Sequence, residues 1–361
     1  MKILPGILMI ALFLLQPNAY GQAPKIKAQY TRAEELLVTG EILPVKNIYH
    51  RVDSTAYPDM PSVVKRLLTH SAGKAVCFTT NSRQISAKWC ATEARPYPNM
   101  TAIANKGLDL YIKMNGKWQF AGVGRPDAVC TEAVLASNLA EGEKECLLYL
   151  PIYDEVSHVE IGTDINSNIR ASAEPFKKRI LVYGSSIVQG ASAGRPGMAY
   201  PAKMSRLTGY HFLNLGLSGS AKMEPAVIAM VNDVKADAYI LDCIPNSSDQ
   251  VIRERALNMI MAIQKAHPGK PIILLNTITR EQGFVDEKVG NMVRAQNNAI
   301  DSIADGLVNR KTKDFYFINT NGFLGDDHEG STDGVHPNDL GFYRFVDKLT
   351  PAVMAILKKY F

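Results

Sequence analysis

Arg179-Ile180-Leu181-Val182-Tyr183-Gly184-Ser185-Ser186-Ile187-Val188-Gln189-Gly190 decides how the second half of this chain is read. The run from Ile180 to Tyr183 is short, apolar and uninterrupted, as a strand buried on both faces must be. It breaks at a glycine and two serines. A strand that turns there leaves hydroxyls at its carboxyl end, where open α/β sheets bind ligands. The same alternation of apolar strand and amphipathic helix continues to the C-terminus, which predicts a parallel five-stranded sheet. Strands are expected at Arg179 to Tyr183, His211 to Leu215, Ala238 to Cys243, Pro271 to Asn276 and Phe315 to Asn319. Helices are expected near Tyr200 to Leu207, Glu224 to Asn232, Ser248 to Ala266, Glu287 to Ile303 and Asn338 to Lys358.

Upstream of Pro175 the pattern differs. Short segments rich in Val, Ile, Thr and Tyr are broken by Gly, Pro and Asn, as at Ala75 to Thr80, Gln84 to Trp89, Leu108 to Met114, Lys117 to Gly122, Glu145 to Leu150 and Val156 to Gly162. Asn115-Gly116 between two of them is a hairpin signal. Many short strands at this spacing predict a β-sandwich, jelly-roll-like in outline. Two domains are therefore expected, a sandwich over 29–174 and an α/β domain over 178–361.

The N-terminus sets the compartment. Lys2 precedes an apolar run from Ile3 through Leu15, too short to span a bilayer, and Ala19 and Gly21 fit a peptidase cut before Gln22. Residues 1–21 are read as a signal peptide, with no cysteine just after it to take a lipid, so a periplasmic or secreted protein without stable membrane insertion is expected. The net charge of +5 is spread without a long basic run, which sets nucleic acid aside. Five cysteines are too few and too irregular for a disulfide framework. Cys77 with Cys90, or Cys130 with Cys146, are the pairs open in an oxidising compartment; the alternative makes most of the five small buried apolar side chains.

The loops after the expected strands hold the candidate chemistry. After Ser185-Ser186 come Gly216-Leu217-Ser218-Gly219-Ser220, then Ile244-Pro245-Asn246-Ser247, then Asp333-Gly334-Val335-His336-Pro337. Singly each is an ordinary turn; their order carries the weight. From Lys178 to Phe361 the chain resembles the SGNH hydrolase superfamily, also called GDSL esterases, whose four ordered blocks hold a serine, a glycine, an asparagine and a histidine. Ser186, Gly219, Asn246 and His336 occupy those blocks, and Asp333 stands three residues before the histidine as the family's acid does. The usual Gly-Asp-Ser-Leu reads Gly184-Ser185-Ser186-Ile187, and Gly-x-Asn-Asp reads Ile244-Pro245-Asn246-Ser247. Arg195-Pro196-Gly197-Met198-Ala199-Tyr200-Pro201 and Gly107-Leu108-Asp109-Leu110-Tyr111 are similar to a bacterial subgroup in which a β-sandwich precedes the hydrolase. The resemblance implies a flavodoxin-like three-layer domain and hydrolysis of short acyl esters without cofactor or metal. It also implies acetylated carbohydrate as the substrate class.

A serine hydroxyl needs a positioned base, His336 can supply one, and Asp333 can orient the imidazole. Backbone N–H groups of Ser186 and Gly219 and the Asn246 amide are the expected oxyanion donors. Arg195, Met198 and Tyr200, just beyond the serine, are expected to line the substrate pocket. The rival C-terminal cluster, Asp326-Asp327-His328-Glu329, offers His328 as another base or a metal site. Tyr97, Trp89 and Trp118 are candidate sugar platforms, while Asp109 and Tyr111 are expected to brace the domain interface. An acyltransferase using the same acyl-enzyme, or a non-catalytic carbohydrate-binding protein, are the other functions open to such a chain.

Overall fold

The computed structural model describes residues 27–361, so the expected signal peptide lies outside the described residues. The first half contributes β1 (Gln29–Arg32), β2 (Leu37–Thr39), β3 (Ala75–Thr80), β4 (Ile85–Cys90), β5 (Leu108–Met114), β6 (Lys117–Gly124), β7 (Cys130–Ala136), β8 (Lys144–Tyr149), β9 (His158–Thr163) and β10 (Ile169–Ala171). They form two antiparallel sheets, β1-β9-β4-β7 and β10-β3-β8-β5-β6, with β2 also paired to β3. Side chains such as Val76, Phe78, Trp89, Leu110 and Ile161 share the core between the sheets. Asn115 and Gly116 both take positive φ, as the two-residue turn from β5 to β6 requires.

The second half supplies β11 (Lys177–Gly184), β12 (Tyr210–Gly216), β13 (Ala238–Asp242), β14 (Ile272–Leu275) and β15 (Phe315–Ile318), a parallel sheet in the order β12-β11-β13-β14-β15. Counted within this half the order is 2-1-3-4-5, the flavodoxin arrangement, with its switch point at β11. The helices are α1 (Ser62–Thr69), α2 (Ala102–Lys106), α3 (Ser186–Gln189), α4 (Tyr200–Thr208), α5 (Pro225–Asp233), α6 (Asp249–Ala266), α7 (Glu287–Asn309) and α8 (Asp339–Leu357). Period-two alternation sends Leu181 and Tyr183 into the core shared with α5, α6 and α7. Ile180 and Val182 enter the opposite core with α3, α4 and α8. Three layers result.

The first core has an unexpected member. Helix α1, from the strand-rich half, places Val64, Leu67 and Leu68 among Leu213, Leu215 and α5 residues. Arg51 pins the same segment to the sheet: fully buried, it donates to the carbonyls of His70, Asn214 and Gly216 at 2.8–3.0 Å and to Leu67. Burial alone pushes its guanidinium down to about 9, so the charge is met by carbonyl dipoles and not by a carboxylate.

Two expectations about side chains are corrected. The disulfide joins Cys90 to Cys130, which is neither expected pair; β4 lies beside β7 in register, and sequence spacing does not reveal which strands are neighbours. Cys77, Cys146 and Cys243 are free and buried. Trp89 is no sugar platform, because it is 1% exposed in the sandwich core with its indole N–H donating to the Lys106 carbonyl at 2.8 Å.

Candidate active site

Strand β11 ends at Gly184, where an added Cβ would stand 2.3 Å from the Asp242 carbonyl oxygen, so only glycine lets β11 and β13 close up at this turn. The two serines that follow have different partners. Ser185 caps α3, its Oγ accepting from the Ile187 N–H at 3.2 Å, and it is fully buried. Ser186 opens the helix and brings Oγ to 2.9 Å from His336 Nε2.

The histidine arrives on a tight turn between β15 and α8. Asp333 Oδ1 accepts from the backbone N–H groups of Val335 and His336, an Asx-type turn around Gly334 at φ +82°. Its other oxygen lies 2.7 Å from His336 Nδ1. Burial disfavours the Asp333 charge, but the His336 ring and the two backbone donors outweigh it and hold the carboxyl down to about 2. With Nδ1–H donating to this carboxylate, Nε2 is left to accept from the Ser186 hydroxyl.

A residue that sequence reasoning missed completes this arrangement. Asn99, on the loop between β4 and α2, donates from Nδ2 to Asp333 Oδ2 at 2.9 Å, and the same loop is tied down by Ser192 Oγ donating to the Asn99 carbonyl. The 3.3 Å approach of Nδ2 to His336 Nδ1 is a contact between two donors and holds no bond. The strand-rich half therefore reaches the acid–base pair directly. Asn99→Ala is expected to lower kcat about tenfold or more with little change in KM, in line with about 1.5 kcal/mol or more for a hydrogen bond to a charged group. A raised KM at constant kcat would place Asn99 in substrate binding instead.

Around these groups lies a cleft of about 310 Å³, lined by Ser186, Gly219, Asn246, Ile278, Arg280 and His336 among others. Gly219 takes φ +69° with open space where a Cβ would be, so its conformation and not crowding calls for glycine. Ser218 beside it donates its N–H to Oε1 of Gln189, whose Nε2 donates to the Ile152 carbonyl and faces His70 Nδ1. This buried amide thus ties the end of α3 to the Gly219 loop. Asn246 lies in the short turn Ile244–Asn246 after β13, its Oδ1 buried without a hydrogen-bond partner.

Other expected residues sit elsewhere. Arg195 and Tyr200 are not pocket residues: Arg195 Nη1 donates to both carboxylate oxygens of Asp109 at 2.7–2.8 Å and to the Tyr111 hydroxyl, and Tyr200 is fully buried with its hydroxyl on Asp242. Met198 packs against the core beneath the sheet and does not line the cleft either. Nearness to Ser186 in sequence misled here, because α3 ends at Gly190 and the following segment turns to the domain interface. Asp109 and Tyr111 brace that interface as expected; Gly197 N–H also donates to Asp109, and a Cβ on Gly197 would strike the Tyr111 ring at 2.6 Å. His328 lies beside Glu281 at 2.9 Å and Asp327 pairs with Arg344, and no residue of this cluster lines the cleft that holds Ser186.

Asp242 is a buried acid outside the Ser186–His336–Asp333 arrangement. Burial pushes its carboxyl up to about 7, the Tyr200 hydroxyl drawing it only partly back. Raised above its ordinary 3.8, the group stabilises the fold fully below about pH 4, and that contribution is lost as pH rises towards 7. Asp242→Asn is therefore expected to raise Tm at pH 8 and leave it unchanged at pH 4; a lower Tm at pH 8 would show a charged, paired Asp242.

Comparison with known proteins agrees with this architecture. The model described as the GDSL-like lipase/acylhydrolase family matches residues 177–354, and the one described as the GxDLY N-terminus of SGNH-type esterases matches residues 28–169. A solved chain from Bacteroides ovatus described as a GDSL-like lipase is 52% identical, over 92% of this chain and 98% of that one, with a TM-score of 0.90. A salicylyl-acyltransferase from a tetracycline biosynthetic pathway superposes with a TM-score of 0.72 at 17% identity, over 91% of this chain and 98% of that one. An acetyl xylan esterase from the rumen bacterium Butyrivibrio proteoclasticus does so at 0.57 and 10% identity, over 92% and 99%. The last two likenesses are of fold. No curated protein matches the chain.

Proposed function

Since the chain belongs to the GDSL-like lipase/acylhydrolase family and is an SGNH-type esterase, we propose that it is exported and removes short acyl groups, chiefly O-acetyl, from carbohydrate. The observation that carries the mechanism is the relay from Ser186 Oγ through His336 to Asp333, at 2.9 and 2.7 Å. His336 Nε2 takes the serine proton as Oγ attacks the ester carbonyl, and Asp333 stabilises the imidazolium. The oxyanion is met by the N–H groups of Ser186 and Gly219 and by the Asn246 amide. His336 returns the proton to the leaving sugar hydroxyl, leaving an acyl-serine. Water, deprotonated by the same histidine, then releases the acid and frees Ser186.

A cleft of about 310 Å³ suits a small acyl group. Export rests on the segment 1–21; among the described residues no helix is long and apolar enough to cross a membrane. A series of p-nitrophenyl esters from acetate to octanoate, run beside acetylated xylan, tests the substrate class. Turnover should be highest on acetate and fall by about tenfold or more by octanoate. Activity rising with chain length would overturn the acetyl reading.

A further inference from the structure

The catalytic cleft contains a cation that the ester mechanism does not require. Arg280 follows β14 and lines the same cleft as Ser186, Gly219, Asn246 and His336. Its Nη2 donates to the Pro245 carbonyl at 2.8 Å, which fixes it beside the turn that carries Asn246. On its other side the Glu281–Phe284 turn is tied to the catalytic turn, Gln282 N–H donating to the Gly334 carbonyl at 3.0 Å. The guanidinium is thus anchored on the turn that carries Asn246, and the segment that follows it on the turn that carries His336.

Arg280 has no acid of its own. Among the described residues no carboxylate pairs with it, and burial lowers its pKa with no counter-ion to offset the cost. The nearest acids in sequence are committed elsewhere: Glu281 lies against His328, Asp286 caps α7, and Asp333 serves His336 and Asn99. A guanidinium has five N–H donors in a planar fork, and one protein acceptor meets them here. Withdrawing a charge from water without a partner is costly, and a cleft that does so suits a ligand that brings the partner. The fork matches a carboxylate in bidentate geometry better than it matches a hydroxyl.

We propose that Arg280 is a substrate-specificity residue that binds the carboxylate of an acidic sugar, so that the ester removed is an acyl group on a uronate-bearing carbohydrate. This rests on the carbohydrate-esterase reading of the same cleft and narrows its substrate class. Arg280 does not take part in the acyl transfer.

Two measurements test it. In the first, calorimetry on Ser186→Ala compares unesterified trigalacturonate with xylotriose as probes. The uronate should bind about tenfold tighter or better, and Arg280→Met in the same background should abolish the preference. Equal binding of the two probes, or a preference that survives Arg280→Met, overturns the proposal. In the second, kcat/KM is measured on acetylated oligogalacturonate and on acetylated xylo-oligosaccharide. Arg280→Met should reduce turnover of the acidic ester at least about tenfold more than that of the neutral one. Equal losses would assign Arg280 to the oxyanion or to bracing Pro245, and overturn it. Arg280→Lys keeps the charge without the fork and should retain part of the preference, a control if the Met variant folds poorly. A wild type that binds trigalacturonate through Arg280 yet hydrolyses neither ester would contradict the esterase reading and leave the acidic-sugar site standing.

Discussion

Ser186→Ala is expected to lower kcat/KM for a short acyl ester by about 10⁴-fold or more, a loss of about 5.4 kcal/mol or more of transition-state stabilisation. Without Oγ no acyl-enzyme forms, and what remains is the contribution of the oxyanion donors and of binding. His336→Ala should cost a similar amount, because the hydroxyl is then left without a base at 2.9 Å. The double variant should be no worse than either single one, since the two side chains act as a unit. Ser185→Ala is the control that separates neighbours. Its Oγ accepts from Ile187 N–H, so its loss should weaken the α3 cap by about 1 kcal/mol and spare most of the activity. His328→Ala should likewise spare activity, since that ring lies against Glu281. If His328→Ala were the damaging change, the acid–base assignment would be wrong.

Arg195→Met should be the most destabilising of the charge substitutions, by about 3–5 kcal/mol in urea unfolding. The Asp109 carboxyl has no exposed surface and Arg195 little, and the pair joins β5 to the Pro196–Met198 turn after α3. Burial pushes Asp109 up, and the Arg195 guanidinium is the largest pull against it. Removing that guanidinium leaves a carboxylate in the interface with the Gly197 N–H as its remaining close donor. Arg195 also stacks on Phe120 at 4.2 Å, so packing is lost with the charge. In an Asp109→Asn background the same change should cost much less, because no buried charge is then stranded, and the difference measures the coupling. A loss below about 1 kcal/mol in wild type would mean that the interface behaves as a solvated surface pair.

How far the sequence could be read depends on whether a residue's neighbours are local. The five parallel strands were legible because each is a short, largely apolar run, and the Ser186 and His336 loops after β11 and β15, which the fold brings to 2.9 Å, could be picked out through block order. Helix α1 was not. Ser62–Thr69 lies in a Val- and Thr-rich half, and its apolar face is matched by β12 and α5, more than 140 positions away. Asn99 is a single amide in an exposed loop, 234 positions from the aspartate it holds, and no spacing rule ties the two. Arg280 reads as an ordinary surface arginine until the Pro245 carbonyl and the missing carboxylate are seen together. Arg195 and Tyr200 failed for the opposite reason: they follow Ser186 closely in sequence, but the chain leaves the cleft at Gly190.

The central claim is that Ser186 is the residue acylated. A fluorophosphonate ester reports it directly, because it captures a serine activated by a base and leaves a stable adduct for peptide mass spectrometry. The adduct is predicted on the peptide containing Ser186, at that residue, in wild type and in Ser185→Ala, and absent in His336→Ala. An adduct on Ser185, or one formed equally well without His336, would contradict the account.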